Sequence, residues 1–502
     1  MERQNQSELE PSTFGECIVK VKGSAWALVL LTSLASPAVA AQDFNDLRAC
    51  ELAGPRSLSV SARCGTLEVP EDRDQPAGRQ LRVSYAVVPA RAGTPAADPV
   101  FFLAGGPGQS AIDVAPLISM ALRDVNRDRH LIFLEQRGTG SSHALNCELD
   151  DMDDMIEMDF DRINEAVRDC MNEWGVDVRH FTSSDYARDL EALRSALGFE
   201  EVNLIGGSYG TRMAQLYLRN YPERVRSVVL DAVVPTRLRL GSEHSLMLDQ
   251  SLELLFERCA TDEDCNDRFP DIETAFRDLI QQYRDNGQSI TISHPRTGEG
   301  TPIEFNDQTL GGALRFLAYS PQTQMIIPYL VHEAAATGQP DRIAAQALIM
   351  TDQIAGELAF GLNFSVGCSE DWPSWPKGID NSNTLLGDTM VVLYASICGW
   401  WPAGDVPSDF HVPFDSEVPV LILSGELDPV TPPAYGDEAA AQFSNSRHLV
   451  GQGLGHTVTS HPCFSGIIND FFDSASLESL DTECLSTLDN AAFFVDLLGP
   501  QP

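Results

Sequence analysis

The sequence predicts an α/β fold, a doubly wound, mostly parallel sheet interrupted by a mostly helical cap subdomain, and three observations predict it. Short apolar runs alternate with amphipathic stretches from residue 98 to residue 235. Those runs are nearly continuous in Val, Ile, Leu and Phe, as strands covered on both faces are. Between Arg237 and Val412 the rhythm becomes helical, and two further apolar runs then restore it.

Taken in order, residues 1–40 read as a signal peptide. Lys20 and Lys22 precede the apolar run "SAWALVLLTSLA", and Ala38-Val39-Ala40 forms a small-residue cleavage site before Ala41. The run is too short for a spanning helix, so the expected product is exported, periplasmic or secreted, without stable membrane insertion. The first part of the core occupies 41–236. Within it "LRVSYAVVPA" (81–90) alternates like an edge strand, and "DPVFFLAGGPGQSA" (98–111) is a buried strand ending in a glycine-rich turn. "RHLIFLEQRGTGSS" (129–142) is another strand with a polar exit. "SSDYARDLEALRSALGF" is an amphipathic helix capped by Ser184 or Asp185. "VNLIGGSYGTRMA" (202–214) runs strand, turn, helix, and "VRSVVLDAVVP" (225–235) is one more strand.

The cap, 237–412, contains helical stretches such as "LDQSLELLFERCA" and "DIETAFRDLIQQYRDNG", with a hairpin near 289–305. The second part of the core, 413–502, returns with "VPVLILSGELDPVTPP" and "SRHLVGQGLGHTV", and the segment from Cys463 to Leu498 is expected to pack as C-terminal helix.

Composition narrows the function. Of 502 residues, 43% are hydrophobic, enough for a large core. A net charge of −39 excludes a nucleic-acid partner, because phosphate binding needs a basic surface. Cys17 leaves with the signal, and the ten remaining cysteines suit an exported, disulfide-bonded chain. Neighbour-to-neighbour pairing gives Cys50–Cys64, Cys147–Cys170, Cys259–Cys265, Cys368–Cys398 and Cys463–Cys484. No CxxC motif occurs, nor any Cys–His pair at zinc-like spacing. The acidic run "DDMDDMIEMDFD" (150–161) lacks the glycine of a calcium loop and reads as a solvated helix face or loop.

The chemistry begins at Gly206-Gly207-Ser208-Tyr209-Gly210. A Gly-x-Ser-x-Gly turn between a strand and a helix presents its serine at the helix N-terminus. A serine hydroxyl is a weak nucleophile and needs a base, itself oriented by an acid. Asp428 and His456 follow the last two strands, in the chain order Ser, Asp, His that suits this arrangement, so the expected catalytic residues are Ser208, Asp428 and His456. Glu426 is a rival acid and His461 a rival base. Acyl transfer also needs donors aimed at the developing oxyanion. Tyr209 supplies one backbone N–H, and Gly106, with Gly105 next, supplies the other from the turn Ala104–Gly108. No metal or organic cofactor is required.

These residues resemble the α/β-hydrolase fold and, within it, the prolyl and tripeptidyl aminopeptidase branch of serine peptidases, most closely its exported tripeptidyl-aminopeptidase-like subgroup. The resemblance rests on "AGGPGQS", "LEQRGTGSS", "GGSYGT", "SGELDPVTP" and "GLGHTV", spread from Pro99 to His456. Ala104 stands where many members have histidine, and Glu135 where many have aspartate. The resemblance implies an exopeptidase acting on peptides with a free N-terminus. It places substrate amine-binding carboxylates in the cap, here Glu370 and Asp371 of "VGCSEDWPSW". Trp372, Trp375, Trp400 and Trp401 either line an apolar subsite or, the preferred reading, pack the core or lid. The alternative activity on the same fold is hydrolysis of small esters.

Overall fold

The structure, a computed structural model, describes residue 44 and residues 46–54, 57–147, 160–488 and 491–500. The signal segment and most of the acidic run therefore lie outside the described residues. Eleven strands are described: β1 (Arg48–Ala53), β2 (Ser59–Pro70), β3 (Gln80–Val88), β4 (Val100–Leu103), β5 (Leu131–Leu134), β6 (Val202–Gly207), β7 (Val225–Asp231), β8 (Gln288–Ser293), β9 (Gly300–Phe305), β10 (Val420–Gly425) and β11 (Ser446–Gly451). Nine form one sheet in the order β1-β2-β3-β5-β4-β6-β7-β10-β11, and β8 and β9 form a separate hairpin. From β5 to β11 every pairing in that sheet is parallel; from β1 to β5 every pairing is antiparallel.

Strand periodicity explains why the central runs are continuously apolar. Phe101, Leu103, Ile132, Leu134, Leu204 and Val228 enter the core on one face of the sheet. Their neighbours Phe102, Phe133, Ile205 and Val229, with Leu421 and Leu423, enter the core on the other. Each such side chain contributes about 1.5–3 kcal/mol on burial.

Three sequence expectations are corrected. β3 is an inner strand, paired to β2 on one side and β5 on the other. Its polar residues Gln80 and Arg82 mark a solvent-exposed face, and the β1–β2 hairpin, closed by Cys50–Cys64, covers the flank. The helix Ser183–Ala196 is capped by Thr182, which accepts from the Asp185 N–H at 3.2 Å and donates to the Asp185 carboxylate at 2.8 Å. That cap lies two residues upstream of Ser184 and three upstream of Asp185. The C-terminal helix stops at Ser474, where Ala475 turns left-handed. Among the described residues beyond it the only helical element is a short 3-10 turn, Glu483–Thr487, and Phe493 joins the cap's core.

The cap carries the helices His244–Thr261, Ile272–Asp285, Asp307–Leu317, Ile327–Thr337, Asp341–Glu357 and Thr389–Cys398 together with the β8–β9 hairpin. It has its own core, built on residues such as Leu252, Leu279, Leu314 and Leu330. All five disulfides join the neighbouring cysteines in the expected pairs. Among the described residues no helix is long and apolar enough to cross a membrane.

Candidate active site

Ser208 stands between β6 and the helix Tyr209–Asn220 at φ 54° and ψ −124°. Such a conformation costs a side-chain-bearing residue roughly 1–3 kcal/mol and persists only where its surroundings enforce it. Here the Ser208 N–H donates to the Asp231 carbonyl at 2.9 Å. Its own carbonyl accepts from the Thr211 N–H at 2.9 Å and Thr211 Oγ1 at 2.6 Å. The flanking glycines allow the close approach: a Cβ on Gly206 would collide with the Gly210 carbonyl, and one on Gly210 with the Leu103 carbonyl. The turn thus sets Ser208 on a cavity wall with a helix N-terminus behind it.

His456 follows β11 and shares that wall. Its Nδ1 lies 2.8 Å from Asp428 Oδ2, and Asp428 is almost wholly buried after β10. Asp428 Oδ1 accepts the N–H groups of Val430 and Thr431, both at 2.8 Å, and Oδ2 accepts Thr431 Oγ1 at 2.9 Å. Four contacts therefore hold this carboxylate in one orientation. Burial opposes protonation of His456, but the charge and hydrogen bond of Asp428 outweigh it, and the imidazole titrates above its ordinary value. The rivals are engaged elsewhere. Glu426 pairs with Arg258 at 3.0 Å and accepts the Gly453 N–H, while His461 caps the helix Pro462–Ser474.

Gly105 and Gly106 line the cavity beside Ser208, and a Cβ on Gly105 would lie 3.2 Å from that of Ser208. The Gly105 N–H is committed to Gln109 Oε1 at 3.2 Å, which leaves Gly106 as the next amide of the turn. Glu135 anchors the loop. Its buried carboxylate accepts Ser110 Oγ at 2.6 Å and the N–H groups of Ala111 and Ile112 at 3.3 Å. Arg137, wholly buried, grips Asp189 through two 2.8 Å bonds and donates to the carbonyls of Glu71 and His180. It braces the loop and does not reach the cavity wall.

The cavity encloses about 710 Å³ and is walled by the core on one side and the cap on the other. Glu370 and Asp371 do not line it. They are 3% and 0% exposed, on a π-helical turn, Gly367–Asp371, that Cys368–Cys398 ties to the helix Thr389–Cys398. Asp371 forms a two-pronged pair with Arg212 at 2.9 and 3.0 Å. Glu370 accepts the Ser183 N–H at 2.5 Å and Ser183 Oγ at 2.6 Å, and Ser183 Oγ in turn lies 2.8 Å from the Tyr209 hydroxyl. Burial, reinforced by the charge of Asp371 and opposed by Arg212, pushes Glu370 up to about 7. The carboxylates expected on the substrate's amine are thus engaged by the protein's own groups behind the wall. The four tryptophans pack as well: Trp372 against Trp375, and Trp401 against Trp400 and Phe364.

Residues that sequence reasoning missed stand beside these. The His456 N–H donates to the Tyr319 carbonyl of the cap at 2.8 Å, and the two rings meet edge-on at 5.1 Å. Asp231, the last residue of β7, accepts the Val458 N–H on both oxygens at 2.9 Å and the Thr459 N–H and Oγ1 at 2.8 and 2.6 Å, which holds the loop after His456. A charged residue closing an apolar strand is the same signal that marked Asp428. Nothing local marks Tyr319.

A family model described as alpha/beta hydrolase fold matches residues 98–459. A serine protease of Mycobacterium tuberculosis is 26% identical over 82% of this chain and 84% of its own length. A tripeptidyl aminopeptidase of Streptomyces coelicolor is 23% identical over 85% of this chain and 84% of its own. A protein of Mycobacterium tuberculosis named carboxylesterase B is 25% identical over 89% of this chain and 91% of its own.

Proposed function

The chain belongs to the alpha/beta hydrolase fold family, and from that premise we propose that it is an exported serine exopeptidase releasing short N-terminal units from peptides through Ser208, His456 and Asp428. The observation that carries the reading is the 2.8 Å contact from His456 Nδ1 to a buried, fourfold-held carboxylate, on the wall that also presents Ser208. With Nδ1 engaged, Nε2 is the nitrogen left to take the Ser208 proton. Ser208 Oγ attacks the scissile carbonyl, and the amides of Tyr209 and Gly106 receive the oxyanion. The imidazolium gives its proton to the leaving amine, and water then hydrolyses the acyl-enzyme by the reverse roles. Similarity to the serine protease and to the tripeptidyl aminopeptidase supports a peptide substrate.

A second reading, hydrolysis of small esters, is favoured by one observation. Asp231 is the sole carboxylate among the described lining residues, and its oxygens are already engaged by Val458 and Thr459. Fluorogenic mono-, di- and tripeptides with free amines, their N-acetylated forms and a short-chain ester separate the two. Peptide cleavage that disappears on acetylation supports the exopeptidase. Ester turnover without peptide cleavage replaces it. In either case Ser208→Ala is expected to lose about 10⁴-fold or more in kcat.

A further inference from the structure

Arg315, on the cap helix Asp307–Leu317, lines the same cavity. It is the sole Lys or Arg among the described lining residues. Its described neighbours do not neutralise it: Nη1 lies 3.9 Å from Met390 Sδ, Nη2 lies 3.4 Å from His244 Nδ1, and the guanidinium carbon sits 5.6 Å from the Phe316 ring centre. His244 is half-buried, and loss of hydration together with the Arg315 charge pushes its pKa down to about 3, so it stays neutral. No carboxylate among the described residues pairs with Arg315. That is unusual here, because the chain carries 73 acidic residues against 34 Lys and Arg, and its buried guanidiniums, Arg129, Arg137, Arg194 and Arg212, each hold an Asp or Glu. A guanidinium facing a largely apolar cavity with no counter-ion among the described residues is complementary to an anion that arrives with the ligand. Tyr319, two residues past the end of the same helix, accepts the His456 N–H on its carbonyl at 2.8 Å, which sets this end of the helix beside the reacting centre.

We propose that Arg315 is a specificity determinant that binds a carboxylate of the substrate close to the bond that is cleaved. The proposal rests on the serine-hydrolase reading of this cavity. Two sources of that carboxylate are possible in a peptide: the α-carboxylate of a short leaving segment, or an acidic side chain beside the scissile bond. The first would make the enzyme prefer short peptides with free C-termini.

The test compares the full-length protein and Arg315→Met on Ala-Ala-Ala-Ala as free acid and as C-terminal amide, and on matched peptides with Glu or Gln at each position next to the cleaved bond. Turnover is measured with the active protein. Binding is measured by calorimetry in the Ser208→Ala background, at low and high salt. The expected result is a preference for the carboxylate form of about tenfold to a hundredfold, the range for a hydrogen bond to a charged group, expressed mainly in KM and in Kd and weakened by salt. In Arg315→Met the ratio is expected to fall to about one, and Arg315→Lys should recover part of it. The free-acid and Glu arms show which carboxylate is the source. Equal handling of every charged and neutral pair by the wild type, or a preference unchanged in Arg315→Met, overturns the proposal. Discrimination in binding without cleavage of any peptide would instead sink the peptidase reading and leave the carboxylate site standing. Because the wild-type comparison needs no variant, misfolding of Arg315→Met leaves the proposal exposed to refutation.

Discussion

At the scale of single residues, the proposed acid and base make a prediction with a definite sign. Asp428 raises the pKa of His456 against the opposing effect of burial. A general base works unprotonated, so activity should rise with pH through a value above 6.5, the ordinary histidine value. Asp428→Asn removes that charge and leaves burial in command, so the acid limb of kcat/KM should move to lower pH. The same change should cost about 10³–10⁴-fold in kcat through loss of the correct tautomer. A pH–rate profile checks both, and an acid limb that stays in place would remove Asp428 from the role. The folded-state pairing also contributes stability that is fully present below pH 6.5 and is lost as pH rises through the raised value. Asp428 and His456 were legible because turn chemistry at a strand exit is local. Arg315 was not, because its meaning lies in which charges are missing around it, and that is settled only when distant segments meet.

At the scale of elements, the turn that presents Ser208, the proposed nucleophile, depends on backbone packed against backbone. The Gly210 Cα faces the Leu103 carbonyl with no room for a methyl group, so β4 and the helix Tyr209–Asn220 approach as closely as two main chains can. Gly210→Ala is expected to destabilise the protein by about 1–3 kcal/mol or more, and to reduce activity in the molecules that remain folded, since the helix must shift at its first turn. Urea unfolding alongside kcat measures the two effects. Unchanged values of both would mean that the helix yields without moving Ser208. The sequence motif predicted this joint because Gly-x-Ser-x-Gly is shorter than the distance over which tertiary contacts compete. It misled about β3, where alternation reported an uncovered face and was read as an unpaired edge.

At the scale of the whole molecule, the buried cluster of Glu370, Asp371, Arg212, Ser183 and Tyr209 joins the cap segment between the helices Asp341–Glu357 and Thr389–Cys398 to the residue that follows Ser208. Glu370 is raised from 4.5 to about 7, so the folded state keeps a proton that the unfolded chain has lost between those values. Stability present below pH 4.5 should therefore fall as pH rises toward 7, by roughly 1–3 kcal/mol for this group. Glu370→Gln should flatten that part of the profile, which denaturant titrations at pH 5 and pH 7.5 would measure; a parallel decline in the variant would show that another group is responsible. Sequence by itself determined the parallel part of the sheet, the inserted helical cap and the strand exits that carry Ser208, Asp428 and His456, because each follows from periodicity or turn chemistry within a few residues, whereas proximity suggested the cysteine pairs and the structure bears them out. Tertiary structure alone decided that Glu370 and Asp371 lie behind the cavity wall, that Tyr319 holds the His456 loop from the cap, and that Arg315 faces the cavity with no carboxylate partner among the described residues. Burial and charge pairing are properties of the assembled neighbourhood, and residues more than a hundred positions apart supply it.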